Sequence, residues 1–116
     1  MHMLMAVIND SSKVVHILDE FVRIGVRGST VIESIGMARM TTENVPLFSR
    51  FAELGGSERH NKTIFAVIEG DELVDEAINV ISGIVGDLSL PDTAVVFILP
   101  VERSVGIRKV EESVSE

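Results

Sequence analysis

The stretch Met3-Leu4-Met5-Ala6-Val7-Ile8-Asn9-Asp10-Ser11-Ser12 decides how the rest of the chain is interpreted. Its six consecutive apolar residues, closed by Asn and Asp, are typical of a buried strand. The Asp and two Ser at its end carry side-chain oxygens suited to the start of a helix. The chain is therefore predicted to open with a strand and a helix over residues 13–24, which Gly25 ends as a left-handed cap.

The first helix is amphipathic. Its apolar face is predicted to consist of Val14, Val15, Leu18, Phe21 and Val22. The charged residues Asp19, Glu20 and Arg23 lie on the opposite face. Such a helix buries one side against the rest of the domain.

A second helix and further strands follow. Apolar or β-branched runs predict strands at residues 31–35, 64–68, 94–99 and, more briefly, 105–109. The strand at residues 31–35 can extend to Met40, and Pro100 ends the strand at residues 94–99. Gly70-Asp71-Glu72 opens the second helix, with its acids at the positive end of the helix dipole, and Gly86 ends it.

The predicted order is β-α-β-β-α-β, which is an α+β, ferredoxin-like split βαβ pattern within one domain over residues 1–110. Residues 111–116 form an acidic tail. In this fold both helices cover one face of the sheet. The other face would be in water in a monomer, and each strand would then alternate apolar and polar residues. The first, third and fourth strands are apolar on both faces. A homo-oligomer is therefore expected to cover the second face.

Composition excludes several classes of function. The 116 residues include 10 Lys and Arg against 18 Asp and Glu, a net charge of −8, and no Cys, Trp or Tyr. The charge argues against a general affinity for nucleic acid or anionic membranes. The absence of Cys excludes disulfide scaffolds and thiolate sites. The apolar start is too short for a signal peptide or a membrane span, so a cytoplasmic protein without direct membrane insertion is expected.

A long loop is predicted between the second and third strands, over residues 41–61. Loops of this length within one domain are usually functional or disordered. Four apolar residues within it are spaced like one short amphipathic turn and are predicted to face a partner or a subunit cleft: Leu47, Phe48, Phe51 and Leu54. His60, near Glu58, has too few neighbouring ligands for a metal site and is interpreted as a solvated loop residue.

Several local sequences, taken in order, resemble the PII nitrogen-regulatory signalling family. They are Gly25-Val26-Arg27-Gly28-Ser29-Thr30-Val31, Gly36-Met37-Ala38-Arg39, Asp71-Glu72-Leu73-Val74-Asp75 and Arg103-Ser104-Val105-Gly106-Ile107-Arg108. The resemblance extends over nearly the whole chain, to Lys109. Residues 97–103 also look like the corresponding segment of the PII-like cyclic-dinucleotide receptors.

The resemblance implies a compact homotrimer that binds adenine nucleotides in clefts between subunits. It implies that the loop over residues 41–61, the family's T-loop, docks on a regulated partner such as a transporter or an enzyme. Thr30 matches a residue at the adenine end of the nucleotide, and phosphate-binding positions are matched by Arg39, Arg103 and Arg108. Gly28 matches a turn near the ligand, although an unusual backbone conformation at this glycine would explain it without a ligand.

Departures from the family pattern reduce the number of candidate ligands. Met40 replaces the Gln that helps to hold magnesium and 2-oxoglutarate, and Gly106 replaces another phosphate-binding Arg. The loop of residues 86–93 has two acids and no Lys, which is poor for Mg-ATP. The chain also lacks the Tyr that some members have uridylylated. A divergent PII-like protein that binds AMP, ADP or a cyclic adenine nucleotide, and that needs no metal, is therefore expected.

Two other functions stay open. One is a structural trimer that binds partners and no ligand, with the arginines paired to neighbouring acids. The other is an acylphosphatase-like enzyme, since that family shares the topology and Arg27-Gly28 lies in a turn. The enzyme would need a phosphate-cradling turn after the first strand, where Asn9-Asp10-Ser11-Ser12 is acidic and free of Gly. A non-enzymatic function is therefore preferred.

Overall fold

The computed structural model of the protein describes residues 1–35 and 60–107. Its elements are strand β1 (His2–Ile8), a 3-10 turn (Ser11–Lys13), helix α1 (Val14–Ile24), strands β2 (Ser29–Ile35) and β3 (His60–Ile68), helix α2 (Asp71–Val85) and strand β4 (Ala94–Pro100). The predicted order of strands and helices is confirmed within these residues.

The four strands form one antiparallel sheet in the order β2-β3-β1-β4. Leu4 on β1 pairs with Ala66 on β3 and with Ile98 on β4, which fixes the register at the centre of the sheet. A four-stranded antiparallel sheet with two helices in this order is a small α+β fold compatible with the ferredoxin-like class. The edge strands are β2 and β4.

The core lies between the two helices and one face of the sheet. Alternate residues of the central strands are fully buried there: Leu4, Ala6 and Ile8 on β1, and Ile64, Ala66 and Ile68 on β3. The helices contribute Val14, Ile17 and Phe21 from α1, and Val74, Ala77 and Ile81 from α2. Because side chains alternate across a strand, the intervening residues point to the opposite face of the sheet.

The predicted ends of α1 are close to the observed ones. The Asp10 side chain accepts a hydrogen bond from the Ser12 backbone N–H at 3.1 Å and so caps the 3-10 turn that leads into the helix. Gly25 has φ of 108°, a conformation that L side chains rarely adopt. Its N–H donates to the carbonyls of Phe21 and Val22, so the glycine closes the last turn as expected.

The predicted apolar face of α1 is partly wrong. Val15 is 65% exposed and Val22 is 52% exposed, whereas Ile17, which the prediction left out, is fully buried. Apolar residues occupy a wide arc of this helix, and several stripes within that arc satisfy the helical period. The position of the sheet under the helix selects the stripe that contains Val14, Ile17 and Phe21. His16 is also exposed.

Two further boundaries need correction. Strand β3 begins at His60, so the last two residues of the predicted loop over residues 41–61 belong to the strand. Pairing across the sheet explains the extension, because His60 pairs with Ile35 and Asn61 pairs with Ser34 of β2. The predicted fifth strand is absent over residues 105–107, because Val105 is exposed and Gly106 has φ of 97°, outside the extended region.

Candidate functional site

The sheet face opposite the helices is apolar and largely uncovered. We call it the open sheet face and define it by Met3, Met5 and Val7 on β1, Ile32 on β2, Phe65 and Val67 on β3, and Val95, Phe97 and Leu99 on β4. Along β4, Val95, Phe97 and Leu99 are 52%, 50% and 41% exposed, and Ile32 on the other edge strand is 47% exposed. The prediction of an apolar second face is confirmed.

The register concentrates the largest side chains at the middle of this face. Met5 is paired with Phe65 on one side and with Phe97 on the other. Contiguous apolar patches larger than a few hundred Å² are uncommon on monomeric proteins and mark interaction sites. The open sheet face is therefore a candidate interaction surface.

A polar cluster lies at one corner of the same face. The Ser34 hydroxyl donates to the Asn61 Oδ1 and lies 2.9 Å from the Thr63 Oγ1. Asn61 and Thr63 are only 4% and 7% exposed. Sequence reasoning missed this cluster because it assigned Asn61 to the loop. Since these groups bond one another, the cluster explains how their burial is tolerated.

Two of the predicted ligand-binding residues, Thr30 and Arg103, belong to opposite edges of the sheet. Thr30 is an exposed residue of β2, paired with Phe65, on the open sheet face. Arg103 is exposed and follows β4, in a segment held beside the start of β1 by the bond from the Val101 N–H to the Met1 carbonyl at 3.1 Å.

The strand order determines which predicted residues can meet. Two strands separate β2 from β4, which corresponds to about 14 Å across the sheet. Within one chain, Thr30 and Arg103 are therefore separated by the width of the sheet. Within residues 1–35 and 60–107, the Arg103 guanidinium has no ion-pair partner, so the pairing with Glu102 that would explain it structurally is not observed.

Gly28 lies just before β2. Its φ is not in the positive region, which corrects the expectation of an unusual backbone conformation. A Cβ built on Gly28 meets nothing within 4 Å. Neither backbone geometry nor local packing therefore requires glycine at this position.

The other predicted site residues lie outside the described residues. These are the phosphate-binding candidates Arg39 and Arg108 and the loop residues Leu47, Phe48, Phe51 and Leu54.

The turn after β1 is filled by a carboxylate of the chain itself. The Asp10 carboxylate accepts hydrogen bonds from the Ser12 hydroxyl at 2.6 Å and from the Ser12 N–H. Both bonds lower the pKa of Asp10, and the bond from the hydroxyl has the larger effect. The carboxylate is therefore anionic at neutral pH. An anion in this turn opposes the binding of a phosphate there.

The loop before β4 is built in the same way. The Asp87 carboxylate accepts from the Ser89 N–H at 2.9 Å and from the Ser89 hydroxyl at 2.8 Å, and these bonds lower the pKa of Asp87. Asp92 follows with φ of 64°. The loop therefore presents fixed negative charge where the resembling family has a Lys-bearing phosphate loop.

No group of three or more His, Asp or Glu side chains in residues 1–35 and 60–107 is placed to hold a metal ion. In the same residues, neither helix is long and apolar enough to cross a membrane.

Comparison with known proteins supports the fold. The structure is similar to the crystal structure of a functionally unknown protein from Pediococcus pentosaceus ATCC 25745, with a TM-score of 0.59 and 20% sequence identity. The match covers 91% of this chain and 96% of the other. No protein-family model and no curated protein matches the sequence. The class defined by these observations is a small α+β protein with a four-stranded antiparallel sheet.

Proposed function

We propose that this chain is a PII-like signal-transduction protein. In this proposal three copies form a trimer, a small effector binds at the clefts between subunits, and the loop over residues 41–61 regulates a partner protein. The family resemblance supplies the class. The exposed apolar side chains of the open sheet face are the single observation that carries the proposal.

The open sheet face favours self-association. Phe97 and its neighbours on β4 have about half of their surface in water. Burial of apolar area is favourable by roughly 25 cal/mol per Å². A second copy offers the same apolar residues, so copies packed through these faces bury apolar surface against apolar surface. The choice of a trimer over other oligomers comes from the resemblance to the PII family.

The placement of the candidate ligand residues supports a site shared between copies. Thr30 lies on the β2 edge of the sheet, and Arg103 follows the strand at the β4 edge. In a head-to-tail ring, each β2 edge faces the β4 edge of the next copy, and the ring closes after a fixed number of copies. Thr30 of one copy and Arg103 of the next then border one cleft, where a guanidinium can bind a phosphate through two parallel hydrogen bonds.

The charge of the surrounding loops favours a ligand with few phosphates. Asp87 and Asp92 add negative charge to the loop before β4. The carboxylates of this loop repel phosphate groups, and AMP, ADP and cyclic adenine nucleotides have fewer phosphate groups than ATP. We therefore propose one of these as the effector in preference to Mg-ATP.

Calorimetry with AMP, ADP, ATP, cyclic AMP and cyclic di-AMP tests the effector. We expect one adenine nucleotide to bind, and Arg103→Ala and Arg108→Ala each to weaken binding by about 1.5–3 kcal/mol, since each removes a charged hydrogen bond. Lys13→Ala, which removes a cation far from the proposed cleft, is the matched control and should leave affinity unchanged. If no nucleotide binds at millimolar concentration, the proposed ligand site is wrong.

A ligand-free interaction trimer is the second candidate function. It is favoured by the same open sheet face, which needs a protein partner and no nucleotide. A trimer that binds no adenine nucleotide in the calorimetric series supports this candidate. The acylphosphatase-like enzyme is not proposed, because the Asp10 carboxylate fills the turn after β1.

A further inference from the structure

A groove of about 450 Å³ runs between α1 and α2 on the outer surface of the helical layer. Its walls include His16, Asp19 and Glu20 from α1 and Val80, Gly83 and Ile84 from α2. The helices cover the face of the sheet opposite the open sheet face. The groove is therefore accessible whether or not copies of the chain associate through that face.

Nothing in the fold of the chain explains why position 83 is a glycine. It lies in the last turn of α2, where glycine destabilises a helix by up to about 1 kcal/mol relative to alanine. Its φ is not positive, and a Cβ built on it meets nothing within 4 Å. Neither the backbone nor packing within the described residues requires glycine here. Glycine is also used where another molecule must approach a backbone closely, and Gly83 lines the groove.

The electrostatics of the groove favour a cation. Asp19 and Glu20 lie on one wall, and no Lys or Arg is among the lining residues. The last turn of α2 contains no basic residue, so the negative end of its dipole has no compensation from its own helix. The chain places one cation there from elsewhere: the Lys13 Nζ donates to the Ile84 carbonyl at 3.3 Å. Glu20 is already paired with Arg23 at 2.8 Å, which leaves the Asp19 carboxylate for a guest.

We propose that this groove docks a basic amphipathic helix of a partner protein. Its apolar side chains pack on Val80 and Ile84, and its backbone approaches α2 at Gly83. Its Lys or Arg side chains reach the Asp19 carboxylate and the carboxyl end of α2. This is the helix-in-groove mode of recognition, in which apolar anchors give affinity and charge gives orientation. The proposal does not depend on the proposed trimer or its effector.

The probe is a 20-residue peptide of Leu, Ala and Lys with Leu at helical spacing. The control is the same peptide with Glu in place of Lys. Two-dimensional NMR of the full-length protein maps where each binds. We expect the Lys peptide to shift the amide signals of the groove residues, and the Glu peptide to shift none. Signals that move only on the open sheet face, at Phe97 and Leu99, would overturn the proposal.

Charge variants separate docking from general attraction to an acidic protein. Asp19→Asn with Glu20→Gln should weaken binding of the Lys peptide about tenfold. Glu69→Gln with Asp75→Asn removes the same charge from exposed residues that do not line the groove, and should change binding by less than twofold. Equal weakening by both double variants would mean that only net charge matters, and the groove would be rejected.

Gly83→Ala provides the decisive variant, because its two expected effects have opposite signs. The added methyl group raises the melting temperature, since it improves helix propensity without a clash. The methyl group also fills the groove where the partner's backbone approaches α2 most closely, so the affinity for the Lys peptide should fall at least tenfold. A Gly83→Ala protein that is more stable and binds as tightly as the wild type would refute the close approach, and with it the docking site.

Discussion

Phe97→Glu tests whether the open sheet face holds copies of the chain together. Phe97 is 50% exposed, and a Phe side chain buries about 200 Å², so covering its exposed half removes about 100 Å² from water. At roughly 25 cal/mol per Å² this contributes about 2.5 kcal/mol of association free energy per side chain. A carboxylate at the same position adds a desolvation penalty of several kcal/mol. The variant should therefore be a monomer.

Sedimentation velocity at micromolar concentration measures this directly. The wild type should sediment with about three times the mass of one chain, and Phe97→Glu with the mass of one chain. Val15→Glu is the matched control: Val15 is also an exposed apolar residue, but it lies on α1, away from the open sheet face. Val15→Glu should remain a trimer. A monomeric wild type, or a Phe97→Glu variant that remains a trimer, would refute the reasoning. Circular dichroism establishes that each variant is folded.

The remaining predictions concern the fold and are measured by denaturant or thermal unfolding. Phe21→Ala should lower the free energy of unfolding by about 3–5 kcal/mol, because Phe21 is fully buried between helix and sheet; a loss below 1 kcal/mol would contradict its place in the core. Gly25→Ala should lower the free energy of unfolding by about 1 kcal/mol, because the φ of Gly25 is 108°. Gly28→Ala should not lower it, because the φ of Gly28 is not positive and a Cβ there meets nothing within 4 Å. Equal losses for the two variants would argue against the left-handed cap at Gly25. The pKa values of Asp10 and Asp87 are lowered in the folded state, so each ionised carboxylate stabilises the folded protein. This contribution to the free energy of unfolding is complete above the unfolded pKa near 3.8 and is lost as pH falls through the folded pKa values. The double variant with Asn at both positions should therefore show a weaker loss of stability below pH 4 than the wild type, and parallel curves would contradict the assignment.

Much of the fold could be predicted from the sequence because its signals are local. The apolar runs of the strands, the cap at Gly25 and the acidic start of α2 each depend on a few neighbouring residues, and each was predicted within a few positions. The errors have a common cause. His60 and Asn61 join β3 because they find partners in β2, and residues 105–107 form no strand although they are apolar enough for one. Strand formation requires a partner edge, which no local pattern reports.

The candidate site was less predictable for the same reason. The separation of Thr30 and Arg103 across two strands depends on the strand order. The polar cluster around Ser34 and the groove at Gly83 join residues that are distant in sequence. Their side-chain types are individually ordinary, so no motif marks them.

The sequence by itself determined the order of strands and helices, the acidic charge and the apolar character of both faces of the sheet. These follow from composition and from short-range periodicity, which are properties of the chain before it folds. Only the tertiary structure decided which stripe of α1 is buried, with Ile17 inside and Val15 outside. It also decided that Thr30 and Arg103 lie on opposite edges, because packing and strand pairing join segments that are far apart in the chain and select one arrangement among several that local patterns allow.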